Sequence, residues 1–447
     1  MHNVLRKAQS NGVELASLRH ETTKGLVISA DKDVVNAEGA FYSNAYMLKL
    51  FVDGGAIYRS TSRPPTTADL DATLGLKFMI GPDRLKHMSP LKGSHIIKPT
   101  PNFDKAPEDK VADVRELRDL ILRSNPAIRS INVGYEEMVV RKEYQDTNGR
   151  EIIQSIPNSH VFVNAMGGTQ SRVGSAFASA HTTLGYIFDF TDMQGLMDTI
   201  NRRLSAQING VPVKLSVLPT VIGPSAAGTF AHEAIGHLAE ADGAEKALLY
   251  KLRGRKIADA SVSIIDAPAV NTPLVNCNMK YDDEGTTSFP VRIVDNGVVK
   301  GFLTDLLYSR KLGLPVSGNL RAEDATVPGQ IRMRNTYFER GAMKADELIR
   351  SIKDGYLITS ASGGETNPAD GTFQFGIDEG YKVKRGEVVA SLRGGASMSG
   401  FTIEALASID GIADDFQLDS GLCGKNGQNV PVSSGGPHLR LRSLKVG

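Results

Sequence analysis

Apolar positions recur along this chain with two different periods, and the alternation between them predicts its elements. In "EDKVADVRELRDLILRS", residues 108–124, Val111, Val114, Leu117, Leu120 and Ile121 share one face at helical spacing. "TDMQGLMDTINRRLSAQ", residues 191–207, predicts a second helix with a stripe of Met193, Leu196, Met197, Ile200 and Leu204, opened by a capping box in which Thr191 caps and Gln194 reaches back. Between such stretches the period drops to two. "SNAYMLKLFVDGGAIYRSTS" alternates around Asp-Gly-Gly and "EEMVVRKEYQDTNGREIIQSIP" around Asp-Thr-Asn-Gly, so both predict β-hairpins.

"INGVP", residues 208–212, ends the second helix, and the pattern changes beyond it. "VKLSVLPTVIG" predicts a buried strand and "PSAAGTFAHEAIGHLAEADG" a helix that starts on small residues. Many short strands follow, among them the hairpin "VRIVDNGVVKGFLTD", with one helix, "KADELIRSIKDG", among them. Glycine-rich connections such as "SASGGETNPADG" and "RGGASMSGF" predict sharp turns. The expected class is α+β: residues 1–208 a mixed α/β domain with antiparallel hairpins, residues 209–447 a β-rich domain carrying one exposed catalytic helix.

Composition narrows the function only by exclusion. The chain carries 51 basic and 50 acidic residues, a net charge of +1, so no global field steers it to nucleic acid or an anionic membrane. The local cluster "YKLRGRK", residues 250–256, reads as a solvated helix end. No apolar run approaches the ~20 residues of a membrane span, and "MHNVLRKAQSNGVELASL" lacks the apolar core of a signal peptide. Cys277 and Cys423 are the two cysteines, too few for a disulfide framework. The expected compartment is the cytoplasm.

The chemistry concentrates at "AHEAIGHLAE", residues 231–240. His232 and Glu233 stand side by side as in zinc peptidases, but His237 follows at a spacing of five where that signature has four. On a regular helix, positions five apart are rotated by about 140°, and their side chains cannot meet on one ion. Gly236, just before the second histidine, admits a one-residue π-bulge or a helix end that would swing His237 back toward His232. Two imidazoles need a third donor before a tetrahedral zinc site keeps an open position. Cys423, between glycines in "GLCGKNGQNVPV", is one candidate; Glu240 and Asp242, downstream on the same segment, are the competing ones.

Together, "SAAGTFAHEAIGH", "YDDEGTT", "VRIVDNGVVKGFLTD", "MRNTYFERG", "ASGGETNPADGTFQF" and the ending "CGKNGQNVPVSSGGPHLRLRSLKVG" resemble the TldD/PmbA family of metallopeptidases over residues 205–447. "GLVISADKDVVNAEGAFYSNAYMLKLFVDGGAIYRS" extends the resemblance more weakly into the first half. The complete HExxxH motif makes the chain similar to the TldD-type subunit. The resemblance implies that His232, His237 and Cys423 coordinate Zn2+. It further implies that Glu233 is the general base on a zinc-bound water, with unfolded or short peptides as substrates. Assembly as a homodimer, or as a heterodimer with a related non-catalytic subunit, is implied as well. The chain departs from the family pattern after the second histidine, with Leu238 for the usual glycine and Glu240-Ala241-Asp242 for Glu-Gly-Asp.

Two other readings stand beside this one. A cysteine hydrolase would use Cys423 as nucleophile with His438 or His232 as base. A non-enzymatic regulatory or binding protein would hold the metal structurally, in line with the family's association with DNA gyrase control. Cys277 reads as a small buried hydrophobe, His95, His160 and His181 as structural, and the three acids of "YDDEG" as an exposed turn in preference to a cation site.

Overall fold

The alternating runs of the first half pair into one sheet. In the computed structural model, which describes residues 2–76, 85 and 88–447, its strands are β1 (Leu15–Asp31), β2 (Val35–Val52), β3 (Gly55–Thr61), β4 (Leu91–Ile96), β5 (Ile128–Asp146), β6 (Arg150–Gly168) and β7 (Val173–Thr182). They lie in the order β3-β2-β1-β5-β6, with β4 and β7 both on the free edge of β6. The predicted turns close the hairpins: Asp53-Gly54 joins β2 to β3 with both residues at positive φ, and the loop ending in Gly149 joins β5 to β6. Among the described residues, four α-helices accompany the sheet, α1 (His2–Ser10), α2 (Thr67–Leu74), α3 (Pro107–Ser124) and α4 (Met193–Asn209). The predicted stripes of α3 and α4 bury against Ile28, Ile131, Val133, Val161 and Val163. The cap of α4 differs from expectation: Asp192 accepts the amides of Gln194 and Gly195, because its two carboxylate oxygens serve two amides where the Thr191 hydroxyl would serve one.

Past residue 208 the strands are β8 (Ser216–Ile222), β9 (Ile264–Ala267), β10 (Val291–Asp295), β11 (Val298–Val299), β12 (Leu320–Arg321), β13 (Gln330–Ile331), β14 (Asn335–Phe338), β15 (Asp354–Thr366), β16 (Thr372–Lys384), β17 (Glu387–Ser391), β18 (Ser397–Phe401), β19 (Ile409–Ile412), β20 (Gln417–Lys425), β21 (Gln428–Gly436) and β22 (Leu439–Val446). Strands β15-β8-β22-β18-β16 close into a barrel through the β15–β16 pairing, while β11-β10-β9-β14-β21-β20 form an open sheet with β20 at its edge. The fold is α+β and rich in strand, as the sequence pattern predicts.

The segment carrying the two histidines runs between barrel and open sheet. Helix α5 (Pro224–Thr229) continues into a π-helical turn, Phe230–Gly236, and ends at Ala239. It is not the exposed helix expected: Ala226, Ala227, Ala231, Ala234, Ile235, Leu238 and Ala239 are all fully buried. Small residues allow this by letting the backbones close up. A Cβ on Gly228 would lie 2.6 Å from the Gly435 amide nitrogen of β21, so that helix and strand touch main chain to main chain. Gly236 follows the same logic and not the conformational one expected of it. Its dihedrals, φ −59° and ψ −50°, are ordinary helical values, but a Cβ there would stand 1.8 Å from Met333 Sδ.

The acids of "YDDEG" are buried, not an exposed turn. Asp283 pairs with Arg19 of β1 and with Lys142 of β5 at 2.8 Å, and Glu284 pairs with Lys49 of β2. Asp282 accepts the amides of Glu284 and Thr286 at 2.9 Å each. Three neighbouring strands of the first sheet thus each supply a cation to one turn of the second half. The sequence hid this because the nearest of these partners in the chain lies 141 residues away, and a buried charge is tolerable only when paired.

The Gly236–Met333 contact generates a prediction. Gly236→Ala should destabilise the protein by ~1–3 kcal/mol in chemical unfolding, the cost of overpacking a filled core. Combined with Met333→Ala, the loss should be smaller than the sum of the two single losses, since the added methyl enters the vacated space. Additive losses would mean that another contact requires the glycine.

Candidate metal centre

A π turn bonds residue i+5 to residue i, and here the His237 amide donates to the His232 carbonyl. Five residues then complete about one turn, and the two imidazoles that a regular helix would separate face one another, ring centres 5.1 Å apart and planes at 85°. The bulge proposed to reconcile the spacing with one ion is therefore present, spread over seven residues.

The third donor arrives from β20. Cys423 Sγ lies 3.7 Å from His237 Nε2, and donor atoms of His232, His237 and Cys423 all fall within 4.8 Å of one another. In a tetrahedral zinc site with ordinary Zn–N and Zn–S lengths, donors sit about 3.3–3.7 Å apart, so this spacing fits with small side-chain shifts. His232 Nδ1 is buried without a hydrogen-bond partner, an orphaned polar atom of the kind a bound ion would compensate. Two imidazoles and a thiol are also the donor types zinc prefers.

The electrostatics of the pocket favour a thiolate. Burial pushes the Cys423 thiol up, but hydrogen bonding with His232 and His237 outweighs it and brings the group down to about 5. Burial likewise opposes charge on His237, yet Glu240 and the thiol together raise the ring to about 10.

Glu240 and Asp242, the competing third ligands, face elsewhere. Glu240 Oε2 accepts from His237 Nδ1 at 3.0 Å, on the ring edge away from Nε2, and both carboxylates bond Lys425. Glu240 thereby orients the His237 ring and leaves Nε2 turned toward Cys423. That role was absent from the sequence reading, although a carboxylate three residues after a helical histidine is the signal for it. Glu233 leaves the helix on the partly open side, 23% exposed, with Oε2 3.9 Å from His237 Nε2. Arg332, fully buried, donates to the carbonyls of Cys423 and Gln428 and so pins the hairpin that carries the thiol. Leu238, where the family pattern has glycine, is fully buried in the main core, and Ala241 bonds the Leu303 carbonyl at 2.9 Å.

The remaining candidates separate from this cluster. His438 Nδ1 bonds Asp415 at 2.6 Å, beyond the far end of the β20–β21 hairpin. Val430 pairs with Cys423 and Gly436 ends the strand, six residues or ~20 Å away, so His438 does not serve Cys423 as a base. Cys277 is buried, and burial raises its thiol. His160 and His181 stack with ring centres 4.7 Å apart in the first sheet, where burial holds them neutral, at about 4 and about 3. His95 lies half-buried on β4. Among the described residues, no other group of histidines, cysteines and carboxylates is spaced for a metal ion.

Comparison with known proteins points the same way. Residues 216–447 match the family profile of the PmbA/TldA metallopeptidase C-terminal domain. A zinc metalloprotease TldD homolog of Saccharolobus solfataricus is 34% identical over 449 residues, covering 100% of this chain and 99% of that protein. A metalloprotease of Methanothermobacter thermautotrophicus is 33% identical over 341 residues, covering 74% of each chain. Among solved structures, a putative modulator of DNA gyrase from Thermotoga maritima superposes with a TM-score of 0.79 at 18% identity, covering 100% of this chain and 99% of its own. TldE from Thermococcus kodakarensis gives the same TM-score and coverages at 16% identity. At such identities the structures establish the fold alone, whereas the full-length sequence match and the profile establish kinship: the chain belongs to the PmbA/TldD family of metallopeptidases.

Proposed function

We propose that this protein is a zinc-dependent peptidase that hydrolyses peptide bonds in unfolded or short peptides, with His232, His237 and Cys423 holding the ion and Glu233 as general base. The observation that carries the reading is the meeting of two imidazoles and a thiol within 4.8 Å, beside the Glu233 carboxylate, whose Oε2 lies 3.9 Å from His237 Nε2. Zinc bound there supplies Lewis acidity toward a peptide carbonyl and lowers the pKa of the attacking water. Glu233 takes that water's proton and passes it to the departing amine. Glu240 keeps the His237 ring oriented, and the Arg332 bond to the Cys423 carbonyl holds the sulfur in place.

An extended substrate finds an edge to join at β20. Asn426-Gly427, both at positive φ, make a two-residue hairpin, so Lys425 and Gln428 form a hydrogen-bonded pair and the pattern alternates from there. The main-chain groups of Ser420, Leu422 and Gly424 therefore point away from β21, and Leu422 is 65% exposed. A peptide added as a further strand would run past Cys423 with little demand on its sequence.

The wider reading follows the family. Residues 1–208 act as an enclosing and assembly domain, residues 209–447 as the peptidase domain, and the working particle is a dimer with a second copy or a related non-catalytic subunit. Two free cysteines support a cytoplasmic setting. No described helix is long and apolar enough to cross a membrane.

Two variants test the assignment. Glu233→Gln should lower peptide hydrolysis at least ~100-fold while the protein keeps about one zinc per chain by elemental analysis; activity near wild type would remove Glu233 from the reaction. Cys423→Ala should bind zinc far more weakly and lose hydrolysis with it. Undiminished zinc in that variant would take the cysteine out of the site.

A further inference from the structure

Lys425 follows Cys423 by two residues on β20, so both side chains leave the same face of the strand. Its ammonium is largely enclosed and spends its donors on Glu240 Oε2 at 3.0 Å, Asp242 Oδ2 at 2.7 Å and the Ile331 carbonyl at 3.0 Å. These acceptors lie on the segment just past the π turn and on β13, so one side chain ties the thiol's hairpin to the element bearing both histidines. We propose that Lys425 is a positioning residue of the metal centre: it holds Glu240 against His237 Nδ1 and fixes the hairpin to the helix, so that the three donors keep their spacing before an ion arrives. The inference rests on the reading of His232, His237 and Cys423 as zinc ligands.

The bonding around Glu240 is the reason. Its side chain is 4% exposed, and its Oε1 has no hydrogen-bond partner, so the two bonds at Oε2 are all that orient it. Among the described residues, Lys425 is the sole lysine or arginine paired with either Glu240 or Asp242. Without it, two sheltered carboxylates would stand together with no cation between them. Glu240 would then turn from Asp242, the His237 ring would lose the acceptor on Nδ1, and the hairpin would lose its tie to the helix. Groups that orient a histidine ligand in this way typically change metal affinity ~10–100-fold when removed.

Lys425→Met keeps the length and apolar stem of the side chain and removes the charge. Titrating the metal-free proteins with Zn(II) against a chromophoric chelator should show affinity ~10–100-fold weaker than wild type, and the metal-free variant should unfold in one transition at a lower temperature than wild type, since Glu240 and Asp242 lose their shared cation. The Co(II)-loaded variant should show a shifted and weaker thiolate-to-cobalt absorption band. Glu240→Gln should weaken zinc binding similarly, and the double variant should lose no more than the worse single one, because both act through the same contact. Wild-type affinity and cobalt spectrum in Lys425→Met would overturn the assignment alone, as would additive losses in the double variant. A wild type that takes up no zinc would overturn the proposed function and this assignment with it.

Discussion

The His237 amide bonded to the His232 carbonyl is the contact on which the site depends. With regular helical bonding the second imidazole would point away from the first, and neither Cys423 nor Glu240 could compensate. A π turn is a costly arrangement, sustained only where the surroundings determine it more strongly than local propensity does. Here they do so by contact. Gly228 presses the helix onto β21, Gly236 admits Met333 against the turn, and alanines fill the faces between barrel and open sheet. The small side chains of "SAAGTFAHEAIGH" are thus the condition for the two imidazoles and the thiol to meet.

A second level of order is electrostatic and centres on the β20–β21 hairpin. Arg332 bonds its main chain from the inside, and Lys425 bonds the carboxylates behind His237. The same hairpin has β20 at the edge of its sheet beside the thiol, the edge that the proposed function gives to an extended substrate. Farther away, Asp283 engages Arg19 and Lys142 and Glu284 engages Lys49, and the first sheet is held on the second half by paired buried charges. Replacing one member of such a pair leaves its partner uncompensated in the interior, so this junction is specified one charge at a time.

What could be read from the sequence was whatever depends on neighbours in the chain. Asp53-Gly54, Asn296-Gly297 and the apolar stripes of α3 and α4 mark their elements because turn geometry and helical period are local. The donor set was legible as residue types, and the resemblance ranked Cys423 above Glu240 and Asp242. The distant partners were not legible. Nothing next to Gly236 announces Met333, and nothing in "YDDEG" announces cations 141 residues away or more. Lys425 looks like an ordinary surface charge until the fold brings it to 3.0 Å from Glu240. The barrel closure between β15 and β16 likewise depends on pairings that no single strand encodes.

The central claim, that a π turn lets two imidazoles share one ion with a thiolate from a distant strand, is tested most directly by zinc K-edge X-ray absorption on the purified protein. The account predicts one sulfur scatterer at ~2.3 Å together with imidazole nitrogens at ~2.0–2.1 Å around a single four-coordinate zinc. A coordination sphere of nitrogen and oxygen alone, unchanged in Cys423→Ala, would contradict it.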